Sequence, residues 1–255
     1  MSGEKRAVGV IPSRWGSTRF PGKSLAPIAG RPLVLRVVDR AKEAKSLDEV
    51  WVATDDERIF DAVTAAGAKA VMTRPDHASG TDRIAEAVAD IDADVVVNIQ
   101  GDEPLIDPAL VDAVAQTLLA DGGEWDMATA ATPIADAREL HSPDVVKVVC
   151  ADNGGALYFS RSVIPFVRGA EAGFAPVPGR HWRHVGLYGY RRDFLERLVK
   201  TPPCALENLE KLEQLRALSI GGRIKVLPCA ESGVGVDTPE DVARVEALLA
   251  AGDRW

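Results

Sequence analysis

A loop near the start of the chain collects the residue types that bind phosphate groups. Residues 12–24 (PSRWGSTRFPGKS) contain the guanidiniums of Arg14 and Arg19, the ammonium of Lys23, several hydroxyls and two glycines. Fixed cations together with backbone amides are what a polyphosphate requires. The segment ends like a Walker A loop, but five residues rather than four separate its glycines. We therefore predict a phosphate-binding loop of another kind.

Two aspartates, far apart in the sequence, have the chemistry of magnesium ligands. Asp102 lies in the segment QGDEP, directly after a strongly apolar run, and Asp237 lies in the segment GVDTPED. Mg²⁺ in proteins typically takes one or two carboxylates together with phosphate oxygens of the substrate. Taken alone, Asp102 suits a turn equally well, and a helix cap is the commoner role for Asp237. The pair is therefore a hypothesis that requires their two loops to meet.

Three other motifs do not support the chemistry that they first suggest. The triplet 92–94 (DAD) opens a predicted strand, so it lies at the opposite end of the sheet from a ligand. The segment 232–235 (SGVG) lacks the third glycine and the βαβ context of a dinucleotide site. His181 and His184 lie in extended chain or loop and the cysteines are scattered, so we expect no zinc site.

Charge is distributed unevenly along a chain of ordinary globular composition. The 255 residues are 46% hydrophobic and carry a net charge of −8, which argues against a general nucleic-acid binder. Residues 1–45 nevertheless hold ten Lys and Arg against three acids, a balance of +7, so the remainder carries −15. This concentration of positive charge favours a local anion site near the first strand.

Other features of the composition exclude further classes of protein. No apolar run approaches the roughly 18 residues of a membrane span, and the apolar segment 7–11 is too short for a signal-peptide core. The three cysteines, Cys150, Cys204 and Cys229, are widely spaced and give no disulfide framework. We expect a cytoplasmic protein with neither membrane nor nucleic-acid partners.

The first half of the chain alternates between short apolar runs and stretches of helical periodicity. The predicted strands are 7–11, 50–53, 68–72 and 94–100. The predicted helices are 32–44, 57–66, 81–91 and 108–119. Repeated strand–helix–strand units predict an α/β fold, with a mostly parallel central sheet and helices on both faces. Ligands lie beyond the carboxyl ends of such strands, which places both the basic loop and Asp102 at that edge.

The second half of the chain has a looser pattern. Its predicted strands are 127–133, 145–150, 184–191 and 223–228. Its predicted helices are 194–199, 207–220 and 239–249, the last with Thr238 or Asp237 as cap. The Gly/Pro-rich stretch 169–181 is predicted to be an exposed loop. We interpret the whole as a single domain, 1–255, with a smaller mixed α/β lobe around 127–200.

Several motifs, taken together, are similar to those of one enzyme family. They are 12–25 (PSRWGSTRFPGKSL), 100–104 (QGDEP) and 235–241 (GVDTPED). The likeness continues through 73–74, 79–83, 158–161, 184–191 and 212–216. On these residues the chain resembles the 3-deoxy-manno-octulosonate (KDO) cytidylyltransferases over nearly its whole length. The insert 169–183 and the terminal tails depart from the pattern.

The resemblance implies an activity and a set of site residues. The implied reaction transfers CMP from CTP to KDO and releases pyrophosphate, with Mg²⁺ as cofactor, and it serves lipopolysaccharide synthesis. The implied assembly is a homodimer, in which the 127–200 lobe provides dimerisation and sugar binding. Catalytic roles are implied for Lys23, Asp102 and Asp237, of which the two aspartates bind the metal. The implied CTP contacts are Arg14, Ser17, Arg19, Lys23, Ser79 and Asp102. The implied KDO contacts are Arg74, Gln100, Arg161, His184, Tyr188, Glu213 and Gln214.

Alternative interpretations stay open at this point. A cytidylyltransferase for another sugar acid, either sialic acid or 8-amino-KDO, would share the nucleotide loop and the metal-binding acids. A non-catalytic nucleotide sensor is a second class, although the pair of aspartates argues against it. Some residues also have ordinary structural explanations. Arg74 and Arg161 fit surface ion pairs, Tyr188 fits a sheet, and Glu213 fits the solvent face of a helix.

Overall fold

The computed structural model describes residues 5–16, 20–77, 79–120, 122–171, 173–230 and 233–251. The strands of its first half are β1 (Ala7–Ser13), β2 (Pro27–Ile28), β3 (Arg31–Pro32), β4 (Glu49–Thr54), β5 (Lys69–Met72) and β6 (Val95–Asn98). The helices are α1 (Leu33–Ala41), α2 (Glu57–Ala65), α3 (Gly80–Ala87) and α4 (Pro108–Ala120). A 3₁₀ turn, Lys23–Leu25, forms the end of the basic loop.

The second half adds five strands and five helices within the described ranges. The strands are β7 (Met127–Pro133), β8 (Lys147–Cys150), β9 (Ala156–Ser160), β10 (Trp182–Arg191) and β11 (Ile224–Pro228). The helices are α5 (Ala137–His141), α6 (Arg192–Lys200), α7 (Ala205–Glu210), α8 (Gln214–Ser219) and α9 (Pro239–Ala251). None of the helices in the described part of the chain is long and apolar enough to cross a membrane.

One central sheet joins the two halves. Its main path runs β11-β7-β10-β6-β1-β4-β5, and β8 and β9 extend it beside β10. β10 is antiparallel to both of its neighbours, whereas the other ladders along the path are parallel, so six of these seven strands point the same way. The predicted mostly parallel α/β sheet is confirmed, with one strand inserted in the opposite direction.

Helices cover both faces of this sheet, as predicted. One core contains the apolar sides of α1, α2 and α4, with residues such as Val37, Val63 and Val114 fully buried against β1 and β6. The other contains α3, α6 and α8, for example Ile84 and Leu195. The valine-rich strands β1 and β6 are buried on both faces, which is why they read as continuous apolar runs.

The sequence prediction was wrong for several elements of the second half. The single helix predicted over 207–220 is two short helices, α7 and α8, because Lys211 adopts a left-handed backbone (φ 54°) that ends the first of them. The strand β9, the helix α5 and the small hairpin β2–β3 were not predicted. The stretch 169–181 is mostly exposed, yet it ends at His181, which is fully buried and accepts a hydrogen bond from the backbone of Val177.

A third, smaller core fixes the segment that carries Asp237. Ile28 and Leu33 pack with Leu105 and with Val236 and Val245, the last of which lies on α9. This cluster joins three distant parts of the chain at the carboxyl edge of the sheet. It therefore holds the loop before α9 against the loops that follow β1 and β6.

Candidate active site

A cleft of about 420 Å³ opens where β1 and β6 end. Two parallel neighbours bring their carboxyl ends to the same edge, so the loops after them face each other. The described residues that line the cleft are Pro12, Ser13, Arg14, Lys23, Ser24, His77, Ser79, Gly80, Arg83, Gln100, Gly101, Asp102 and Asp237. The sequence thus predicted both principal walls of this cleft.

The two loops meet because one of them has glycine at the point of contact. A Cβ atom placed on Gly101 would lie 2.7 Å from the carbonyl oxygen of Pro12, closer than any real contact. Only glycine lets the two backbones approach this far. This close approach is what sets Asp102 opposite the basic loop.

The ammonium of Lys23 joins the two aspartates that the sequence singled out. Its Nζ lies 2.7 Å from Oδ2 of Asp102 and 3.1 Å from Oδ1 of Asp237, and it also donates to the carbonyl oxygen of Val236 at 3.2 Å. The side chain of Lys23 is only 17% exposed. The predicted meeting of the Asp102 and Asp237 loops is therefore observed, with a cation already between the two carboxylates.

The basic loop is braced so that part of it stays open to a ligand. The hydroxyl of Ser13 donates to that of Ser24, and Gly22 takes a left-handed conformation (φ 71°) beneath the ring of Trp15. Arg14 is exposed, and its guanidinium makes no hydrogen bond or ion pair with another described residue. It is therefore available to an anion. Ser17 and Arg19 lie outside the described residues.

The amino-terminal end of α3 forms the opposite wall of the cleft. Ser79 caps this helix by accepting from the backbone of Asp82, and Gly80 lines the cleft beside it. The partial positive charge of a helix start favours an anion. Arg83, which sequence reasoning did not assign, is buried and donates to Asp55 and Thr73. It ties α3 to the loop after β4.

Gln100, which lines the cleft, connects it to a set of polar side chains on β10 that lie outside the lining. Nε2 of Gln100 donates to the carbonyl oxygen of Gly186 at 2.8 Å, which joins the end of β6 to a register shift in β10. His184 lies next to Tyr188, with ring centroids 5.2 Å apart. Burial lowers the pKa of His184 to about 3 and raises the pKa of Tyr188 well above its usual value. Both groups are neutral hydrogen-bonding partners near pH 7.

Glu213 and Gln214 stand at the start of α8 and face α3. Oε2 of Glu213 accepts from the hydroxyl of Thr81 at 3.0 Å, and its other oxygen accepts from Arg216. Burial raises the pKa of Glu213, and Gln214 is 5% exposed. Glu213 keeps 35% of its side chain exposed, but both carboxylate oxygens have partners on neighbouring residues. The break between α7 and α8, missed from sequence, lies directly before these two residues.

Arg161 is held in place by backbone oxygens rather than by a surface ion pair. Its Nε donates to the carbonyl oxygen of Glu210 at 2.8 Å, and its Nη1 donates to that of Pro143. The carbonyl oxygen of Arg161 accepts from the fully buried ammonium of Lys147, which two further carbonyls also bind. Arg161 is thus fixed beside β9.

Of the predicted KDO contacts only Gln100 lines the cleft, and Arg74 is bound to an acid on α3. Its Nε donates to Oε2 of Glu86 at 3.0 Å, and 67% of its side chain is exposed. Arg74 does not line the cleft, although His77, which shares Glu86 with it, does. The structure contains the surface ion pair that the sequence also allowed for Arg74. The role of Arg74 toward the sugar stays a prediction.

Glu103 is a buried acid that sequence reasoning did not single out, although it follows Asp102 directly. Burial, together with the neighbouring charge of Asp102, raises the pKa of Glu103 to about 7. Its Oε2 is buried and has no hydrogen-bond partner among the described residues. An acid in a run of turn residues carries no signal of burial, so no local pattern pointed to Glu103.

The family model described as "Cytidylyltransferase" matches residues 8–225. The chain belongs to the cytidylyltransferase family. This cytidylyltransferase is 53% identical over 247 residues to the 3-deoxy-manno-octulosonate cytidylyltransferase of Myxococcus xanthus, covering 96% of this chain and 97% of that one.

Two further relatives refine the comparison. The 8-amino-3,8-dideoxy-manno-octulosonate cytidylyltransferase of Shewanella frigidimarina is 49% identical over 244 residues, covering 94% of this chain and 97% of that one. A solved CMP:2-keto-3-deoxy-manno-octonic acid synthetase in complex with CTP is 44% identical, with a TM-score of 0.90, and the match covers 98% of this chain and 100% of that one. The family resemblance inferred from the motifs is confirmed.

Proposed function

We propose that this cytidylyltransferase transfers CMP from CTP to KDO and releases pyrophosphate. The observation that carries the proposal is the cleft in which Lys23, Asp102 and Asp237 meet beside a buried polar group at β10 and α8. The charged residues of the cleft suit a nucleoside triphosphate. The buried polar side chains of β10 and α8 suit a sugar acid with many hydroxyls. The names of the Myxococcus and synthetase relatives support the same pair of substrates.

The protein's part in the reaction is mainly positioning and charge stabilisation. We assign Arg14, with Ser17 and Arg19 by resemblance, to the triphosphate, together with Ser79 at the start of α3. Lys23 stabilises the charge that develops as pyrophosphate leaves the α-phosphorus. Holding the sugar hydroxyl in line with that phosphorus converts a bimolecular reaction into one within a single complex.

We further propose that Asp102 and Asp237 hold Mg²⁺. Their oxygens Oδ2 and Oδ1 already converge on one ammonium nitrogen, so the donor set fits a cation of the kind that prefers carboxylates. Within the described ranges no group of three or more His, Cys, Asp or Glu side chains is placed to hold a metal. Two carboxylates plus phosphate oxygens suit a nucleotide-bound Mg²⁺, which would neutralise phosphate charge and acidify the sugar hydroxyl.

Gln100, His184, Tyr188, Glu213 and Gln214 form the proposed sugar site. Three of them, His184, Tyr188 and Glu213, have pKa values shifted toward the neutral form by burial. The neutral imidazole of His184 and the neutral phenol of Tyr188 match hydroxyls. Arg161, fixed by two carbonyl oxygens, supplies a positive charge for the sugar carboxylate.

Pyrophosphate release dependent on both CTP and KDO is the direct test of this function. We expect release with CTP, KDO and Mg²⁺ together, and none when KDO is omitted. If CTP, KDO and Mg²⁺ together gave no pyrophosphate, that result would contradict the proposal and favour a nucleotide sensor.

The choice of sugar acid gives a sharper prediction. In competition at equal concentration, we expect KDO to be used at least about 100-fold better than sialic acid. Sialic acid carries an N-acyl arm, which is too bulky for a buried site and leaves polar groups of that site unpaired. The 8-amino relative differs only at the far end of the sugar, so its use relative to KDO is measured in the same mixture. Preferential use of sialic acid would reject KDO as substrate and leave the cytidylyltransferase chemistry intact.

We also propose a homodimer formed through the patch made by β9, the segment after it and α7. Three apolar side chains are strongly exposed there, Leu157 (62%), Phe166 (81%) and Leu209 (80%). Among the described strands β9 pairs in a ladder with β8 alone, and on its other side a single bridge joins Gly155, just before β9, to Lys225. Exposed apolar side chains beside a strand with so little pairing on one side suit a second copy of the chain.

The oligomeric state of two matched variants tests this surface. We expect the wild type to have the mass of a dimer in size-exclusion chromatography with light scattering, and Phe166→Glu/Leu209→Glu to be a monomer. Met72→Glu is the control, because Met72 is also exposed (42%) but lies on β5 at the far edge of the sheet. A monomeric wild type, or a dimeric double variant, would reject the patch.

A cytoplasmic location is proposed as well. Cys150, Cys204 and Cys229 are free thiols in the structure, which suits a reducing compartment.

A further inference from the structure

The buried hydroxyl of Thr129 contacts three atoms of one neighbouring strand. Its Oγ1 lies 3.0 Å from Nε2 of His184, 3.1 Å from the carbonyl oxygen of Val185 and 2.8 Å from that of Leu187. Thr129 is on β7 and has no exposed surface. All three contacts are to β10, at the position where the register between β10 and β7 shifts.

This register shift explains why the strand needs side-chain partners. The ladder between β10 and β7 passes from Val185 directly to Tyr188, so the two residues between them fall outside it. Buried backbone carbonyls need a donor. The carbonyl oxygen of Gly186 receives one from Gln100, and that of Leu187 receives one from Thr129.

The count of protons around Thr129 determines which ring nitrogen of His184 is protonated. A threonine hydroxyl has one proton to donate and lone pairs with which to accept. The two carbonyl oxygens can only accept, so the proton of Thr129 points to that side. Nε2 of His184 must then donate to Oγ1, because otherwise two lone pairs would face each other in a buried site.

The other nitrogen of the ring is left as an acceptor. Burial keeps the imidazole neutral, with a pKa of about 3, so a proton on Nε2 leaves a lone pair on Nδ1. Nδ1 makes no hydrogen bond with any described residue, and His184 as a whole is half-buried, so this nitrogen can accept from a ligand. The ring is held between Phe159 and Tyr188, with centroid distances of 5.1 and 5.2 Å.

We propose that Thr129 is a positioning residue that fixes His184 in its Nε2–H tautomer, so that Nδ1 accepts a hydrogen bond from a hydroxyl of the sugar substrate. The identity of that ligand rests on the proposed function, whereas the tautomer does not. A fixed acceptor selects a hydroxyl donor at one position of the ligand and gives no favourable contact to a carbonyl or an ether oxygen.

The tautomer can be observed directly by nitrogen NMR of the ¹⁵N-histidine-labelled protein without substrates. The signals of His184 are identified by their loss in His184→Phe. We expect a protonated Nε2 and an unprotonated Nδ1 in the wild type and in Thr129→Ser, and a mixture of both tautomers in Thr129→Val. A wild-type His184 protonated at Nδ1 would overturn the inference whether or not the enzyme uses KDO.

Kinetics then test the consequence for the sugar. We expect Thr129→Val to raise the KM for KDO about 5- to 10-fold with little change in the KM for CTP, the size of one lost hydrogen bond. Thr132→Val is the matched control, since Thr132 is also buried on β7 and donates to a carbonyl, that of Ala230, without touching His184. Equal effects of the two valine variants on the KM for KDO would reduce Thr129 to a structural role and contradict the proposal.

Discussion

Asp102→Asn and Asp237→Asn should each reduce kcat by at least about 100-fold while leaving a folded protein. Each substitution removes one of the two negative charges that converge on the ammonium of Lys23, and therefore one of the two carboxylates assigned to Mg²⁺. Asparagine keeps the size of the side chain. Circular dichroism and thermal unfolding check the fold, and pyrophosphate release at saturating Mg²⁺ measures turnover.

A matched aspartate outside the cleft provides the control. Asp92 belongs to the triplet that the sequence placed at the wrong end of the sheet, its side chain is 93% exposed, and its ion pair with Arg6 spans 3.7 Å. Exposed pairs of this kind contribute little, so Asp92→Asn should retain full activity. Binding of Mn²⁺ to the CTP complex, followed by electron paramagnetic resonance, should weaken in the two cleft variants only. Near-normal turnover by either cleft variant would exclude that residue as a metal ligand.

Lys23→Ala should lower kcat/KM by about 30- to 1000-fold, which corresponds to roughly 2–4 kcal/mol of transition-state stabilisation. The reason is twofold. The variant loses the cation assigned to the departing pyrophosphate, and it leaves Asp102 and Asp237 facing each other without the ammonium that now separates them. Steady-state kinetics with CTP and KDO measure the effect.

Two companion variants make the Lys23 result specific. Lys45 is an exposed lysine from the same basic segment, and Lys45→Ala should leave kcat/KM unchanged. Lys23→Arg should recover only part of the activity, because a planar guanidinium cannot occupy the compact position of an ammonium between two carboxylates. If Lys23→Ala stayed within about twofold of the wild type, the residue would be an ordinary surface lysine and the charge-stabilising role would be rejected.

Local patterns in the sequence were sufficient to predict the layout of the first half. β1 and β6 are runs of apolar residues, α1 has apolar residues at helical spacing, and the rule for parallel strands places the loops after β1 and β6 at one edge. The two loops of the candidate site could therefore be found before the structure was known. The residues proposed for the sugar site, such as Arg161 and Tyr188, came from the family resemblance alone.

The remaining features depend on contacts between distant residues. β10 inserts antiparallel between β6 and β7, and the residue types within β10 do not indicate this direction. The left-handed backbone of Lys211 ends α7, although lysine is a good helix former. The bridge from Lys23 to both aspartates depends on the conformation of a flexible lysine side chain. Patterns of hydrophobicity are local, whereas these outcomes are decided by packing after the chain has folded.

The bridge made by Lys23 also has a consequence for the order in which the protein matures during its synthesis. Asp102 follows Lys23 by 79 residues and Asp237 follows it by 214. At roughly 5–20 residues per second, a ribosome needs about 10–40 s to travel from Lys23 to Asp237. Once Asp102 has been synthesised, the nascent chain can pair Lys23 with that carboxylate but not yet with Asp237. The cleft is therefore completed late, when the segment before α9 docks.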